Sequence, residues 1–142
     1  MRQAAAAHRS GRLQEAVQLY VRLLQQLPHN AELHNNIGVA LRSMGRFDAA
    51  IAHYRQSLAI EPNIPSHHSN LGNALRAVNR WEEALQHHFR AVGLQADYVE
   101  GFFNLGLTLR DMGRLDEAIG CFARANQLQP DNVRAQVEAA VA

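Results

Sequence analysis

Apolar residues along the chain recur at steps of three and four, and the stretches carrying this rhythm are parted by short turns that bear Gly, Asn or Pro. That spacing belongs to amphipathic helices, since a half-buried strand would alternate. The pattern predicts an all-α chain, with helices over 2–10, 13–26, 31–44, 47–60, 65–78, 81–94, 99–112, 115–128 and 133–141.

Shifting the chain against itself by 34 residues aligns four segments, about 1–30, 31–64, 65–98 and 99–132, with a remnant at 133–142. Small residues share columns: Gly38, Gly72 and Gly106 with Ala4, and Ala16 with Ala50, Ala84 and Ala118. Large apolar residues fill the complementary columns, among them Ile37, Leu71 and Leu105, and Leu13, Phe47, Trp81 and Leu115. Such pairing of small and large positions predicts close approach between two helices in every unit. Gly11, Gly45, Asn79 and Gly113 fall where the first helix must stop, and a left-handed C-terminal cap requires Gly or Asn there. Acids open the second helix, as with Asp48, Glu82 and Asp116, and complement its positive end.

Period, small-residue columns, an aromatic column at Tyr20, Tyr54 and Phe122, and a closing Pro at Pro28, Pro62 and Pro130 together resemble the tetratricopeptide repeat family. The resemblance covers nearly the whole chain and implies a right-handed superhelical solenoid of helix-turn-helix units, here one domain over 1–142. Departures from the family pattern are His88 in the aromatic column, Ala96 in place of Pro, and His34, His68 and Phe102 where Trp is common. Both ends fall at odd phases of the repeat, which predicts a piece excised from a longer protein. With Val133, Val137, Ala140 and Val141 forming an apolar side at the last remnant, weak homo-oligomerisation through the terminal units is expected.

In this family the first helix of each unit lines the concave side, so the resemblance directs attention to the first-helix columns. Asn36, Asn70 and Asn104 share one column, and an Asn amide offers the donor and acceptor that a peptide unit needs. Helices pack about 8–10 Å apart and an extended chain advances about 3.3 Å per residue, so such a ladder meets a bound strand near every third residue. The alternative is that these amides bond to neighbouring helices or face water. Arg42, Arg76 and Arg110 form a second column suited to carboxylates or phosphates, against the plain role of cations at helix C-termini. Asn73 and Phe103 complete the candidate peptide-binding set, Phe103 as an aromatic anchor or as packing between units. The Lys-rich clamp of chaperone-binding relatives is absent, with Glu32, Ser66 and Glu100 at the corresponding column.

Fourteen basic residues, all Arg, face thirteen acids with signs interspersed, which offers no field for nucleic acid or an anionic membrane. No segment reaches the roughly 20 apolar residues of a membrane span. Cys121 stands alone in an apolar context, consistent with a reducing cytoplasmic setting and not with a nucleophile. Eight His invite a metal reading, but adjacent residues such as His67 and His68 point about 100° apart on a helix and do not converge on one ion. No catalytic residues, metal or cofactor are expected. The chain is expected to bind a protein or peptide partner, with two alternatives. One is a substrate-recognition arm of a larger glycosyltransferase, since the Asn column resembles the ladder in repeat domains of O-linked N-acetylglucosamine transferases and the opening His8–Ala16 is similar to bacterial relatives that carry a glycosyltransferase after the repeats. The other is a self-assembling scaffold.

Overall fold

The computed structural model describes residues 1–130, and these form eight helices with no strand among them. They are α1 (Arg2–Arg9), α2 (Leu13–Gln26), α3 (Ala31–Ser43), α4 (Phe47–Ile60), α5 (Pro65–Ala77), α6 (Trp81–Leu94), α7 (Val99–Asp111) and α8 (Leu115–Leu128). Each begins where the apolar pattern predicts and ends within a residue of it. The expected helix over 133–141, and the self-association assigned to Val133, Val137, Ala140 and Val141, lie outside the described residues.

The turns inside the units are built by local chemistry. Gly11, Gly45 and Gly113 have φ of +79°, +77° and +79°, and Asn79 takes the same left-handed region at 63°. At α3 the Gly45 N–H donates to the Arg42 carbonyl and the Arg46 N–H reaches back to that of Leu41, satisfying carbonyls the helix leaves open. Between units, Asn30 caps α3 by accepting from the Leu33 N–H at 2.9 Å, and Pro65 opens α5.

Consecutive helices pack together along the chain, and α5 also touches α3 and α7. No two second helices make comparable contact among the described residues. The first helices therefore form the inner layer of the array. Inside each unit the Gly column meets the aromatic column: a Cβ added at Gly38 would lie 2.5 Å from Tyr54, at Gly72 2.6 Å from His88, and at Gly106 2.6 Å from Phe122. Glycine is needed there because the ring of the second helix rests on the backbone of the first.

Histidines form repeated seams. His34 Nδ1 lies 3.2 Å from His53 Nδ1, and His68 Nδ1 lies 3.0 Å from His87 Nδ1. In each pair the first residue's Nε2 donates to a Pro carbonyl of the preceding loop, Pro28 at 3.2 Å or Pro62 at 2.7 Å. That bond leaves Nδ1 bare, so the second His supplies the shared proton. In the fourth unit Phe102 and Cys121 occupy the two positions as apolar packing. Across units, Ser57 Oγ donates to the Ala31 carbonyl at 2.8 Å and sits 2.9 Å from His67 Nδ1, joining α3, α4 and α5.

Candidate functional site

A groove on the inner layer has a cavity of about 300 Å³ lined by Arg42 of α3, Asn73 and Arg76 of α5, and Glu100, Asn104 and Leu107 of α7. Four of the eight residues singled out in the sequence meet here. Asn73 and Arg76 stand one helical turn apart on one face of α5. Both carry a buried polar atom without a partner, Asn73 Oδ1 and Arg76 Nη1.

Arg76 directs Nε to Asp111 at 3.6 Å, and Arg110 approaches the same carboxylate at 3.9 Å. Burial draws Arg76 below the usual guanidinium value, with Asp111 opposing that shift and Arg110 adding to it. Arg42 makes no ion pair with the described residues. The three cations occupy the last turns of α3, α5 and α7, where they also complement the helix C-termini. Glu100, noted in the sequence only as standing where a cation would help, shares the cavity and gives it a mixed charge.

The Asn column divides. Asn70 Nδ2 donates to Asn35 Oδ1 at 3.1 Å, and Asn104 Nδ2 donates to Ser69 Oγ at 3.0 Å. Each amide thus reaches the side chain one position earlier in the preceding unit, so the column helps to stack units whether or not it meets a ligand. Asn36 is half-buried and makes no such bond among the described residues. Phe103, weighed as an aromatic anchor, corrects to packing: it is 3% exposed, with its ring 5.8 Å from that of Phe122. It shares the column of Asn35 and Ser69, which are also buried, so the position faces neighbouring helices and not the groove.

Among the described residues, no three His, Cys, Asp or Glu side chains come close enough to hold a metal ion. Burial raises the Cys121 thiol to about 11, aided by Glu117, the opposite of what an activated nucleophile needs. No helix of the described residues is long and apolar enough to cross a membrane.

Family models described as tetratricopeptide repeat match residues 31–64, 68–97 and 99–132, together more than half of the chain. The chain belongs to the tetratricopeptide repeat family. Among solved structures, MamA superposes with a TM-score of 0.89 at 22% identity, over 99% of this chain and 82% of that one. YrrB, described as a TPR protein with an unusual peptide-binding site, gives 0.79 at 24% identity, over 97% of this chain and 71% of that one. The first TPR of Spaghetti (RPAP3), bound to the HSP90 peptide SRMEEVD, gives 0.76 at 23% identity, over 79% of this chain and 89% of that one. At these identities the likeness is one of fold. No curated protein matches the chain.

Proposed function

We propose that this repeat array is a protein-interaction module that acts by binding and not by catalysis, and that it holds an extended segment of a partner against α3, α5 and α7. The observation that carries the reading is the inner groove, where Asn73 and Arg76 of α5 line one cavity together with Arg42 of α3 and Asn104 of α7. A peptide backbone offers such groups a donor and an acceptor in every residue. Repeat arrays of the same fold support it: YrrB is described with a peptide-binding site, and the first TPR of Spaghetti is bound to an HSP90 peptide. Within the set, Asn73, Arg76 and Arg42 make the primary contacts, and Asn36 extends the strip toward the second unit. Asn70 and Asn104 keep one amide oxygen each for a ligand while their N–H groups tie the units together.

The test is selection of binding peptides from a random phage-displayed library, followed by amide chemical-shift mapping with a selected peptide. Shifts confined to α3, α5 and α7 are expected. Shifts centred on α4, α6 and α8, or no selectable peptide, would refute the groove.

A further inference from the structure

We propose that each histidine seam is a metal site: His68 and His87 hold one divalent transition-metal ion through their Nδ1 atoms, His34 and His53 hold a second, and copper(II) is preferred over nickel(II) and zinc(II). These residues lie outside the inner groove, so the sites stand apart from peptide binding.

Neighbouring histidines on one helix diverge, but residues 19 apart in sequence face each other across the two helices of a unit. Two metal–nitrogen bonds of about 2.0–2.1 Å that meet at a right or tetrahedral angle place their nitrogens about 2.9–3.3 Å apart. The observed separations, 3.0 Å at His68–His87 and 3.2 Å at His34–His53, fall within that interval. The far side of each inner ring is a second, independent observation. His68 Nε2 donates to the Pro62 carbonyl at 2.7 Å, and His34 Nε2 to that of Pro28 at 3.2 Å. Metal-binding imidazoles are held in this way, with the remote N–H on a carbonyl, which fixes the ring and leaves the near nitrogen as a lone pair.

His34 and His68 are buried, while His53 and His87 are only half-buried, so each pair joins a fixed inner ligand to an outer one that solvent reaches. In the metal-free protein the two Nδ1 atoms share one proton. An incoming ion takes its place: the proton leaves to solvent, the outer ring turns its freed lone pair toward the ion, and water completes the coordination on the exposed side. Glu83 and Arg55, whose charges reach His87, pair with each other at 2.8 Å and so leave little net charge to repel a cation. Two imidazole nitrogens with open positions beside them suit the tetragonal geometry of copper(II) and nickel(II), and nitrogen sites favour copper(II) over both nickel(II) and zinc(II).

The full chain, stripped of metal with a chelator, is titrated calorimetrically with the chlorides of copper(II), nickel(II) and zinc(II). Two ions per chain are expected, one for each pair, with copper(II) the tightest. Electron paramagnetic resonance of the copper(II) form should show two coupled nitrogens on each ion. His87→Gln keeps a side-chain N–H to face His68 Nδ1 but offers the ion no imidazole. With a circular dichroism spectrum like the parent's, it should bind one ion, and His53→Gln/His87→Gln should bind none. The double variant retains the exposed His29, so it also measures binding to surface histidines. Copper(II) bound as tightly and in the same number by the double variant as by the parent overturns the sites. A spectrum with a single coupled nitrogen on each ion does so as well.

Discussion

His88 shows most plainly what one residue can change in a repeat. It stands where Tyr54 and Phe122 stand in neighbouring units, is fully buried against Gly72, and has neither ring nitrogen bonded. A neutral imidazole carries one N–H and one bare nitrogen, so a donor and an acceptor are buried without partners. His88→Phe fills the same space without them and should stabilise the fold by about 1–3 kcal/mol, read as a higher urea midpoint. A lower midpoint would show that the ring nitrogens find partners in solution. The opposite face of the contact gives the opposite result. An ideal Cβ at Gly72 already lies 2.6 Å from the ring, so Gly72→Leu must displace His88 and should cost about 1–3 kcal/mol or more. A melting temperature equal to the parent's would mean that the ring moves aside freely.

At the scale of the helix, every unit turns on one residue of positive φ. Gly113 sits at +79°, and no atom lies within 4 Å of a Cβ added there, so a substitution tests backbone conformation alone. Gly113→Ala should cost about 1–2 kcal/mol, while the equivalent Asn79, at 63°, should tolerate Gly with little change or a small gain. Denaturant titrations that ranked the two substitutions the other way would contradict the cap. These turns were legible in the sequence because a left-handed cap accepts few residue types, and helix starts were legible because apolar spacing is local. The cores of the units were legible in the same way, through paired small and large columns. What joins one helix to another was not. Nothing local marks His34 as the partner of His53, or His68 as that of His87; the only trace is that both columns change together, to Phe102 and Cys121, in the fourth unit. The Asn column was visible, but its lateral bonds to Asn35 and Ser69 depend on a one-residue offset between units that only the packed array reveals. The choice between anchor and packing at Phe103 was not legible for the same reason, because the helix face turned toward solvent depends on how the next helix lies across it.

For the molecule as a whole, the histidine seams predict sensitivity to mild acid. Burial lowers the pKa of His53, His67, His68 and His87, and of His88 to about 3. Neighbouring charges modify this: His34 lowers His53; Glu61 and Glu32 raise His67 while His68 lowers it; Arg90 lowers His68 while its bond to Pro62 raises it; and His68 and Arg55 lower His87 while Glu83 raises it. For His88, Arg76 and His87 add to the burial. In the unfolded chain these groups titrate near 6.5. Between that value and each lowered one the unfolded state binds more protons than the folded state, so stability is complete above pH 6.5 and falls as pH drops below it. For His88 the window runs from 6.5 to about 3, with a slope of about 1.4 kcal/mol per pH unit at most. The His68–His87 pair adds a geometric term, because protonating His68 turns the bare Nδ1 into a second donor facing the proton of its partner. Solenoid units are stable only against their neighbours, so loosening both middle units should lower the melting temperature of the whole array together. Thermal melts between pH 7.5 and 5 should show a steady fall that precedes the carboxylate range, and His88→Phe should make the fall shallower. Melting temperatures that hold level to pH 5 would mean that the seams admit protons without cost, and the coupling between histidines and array would fail.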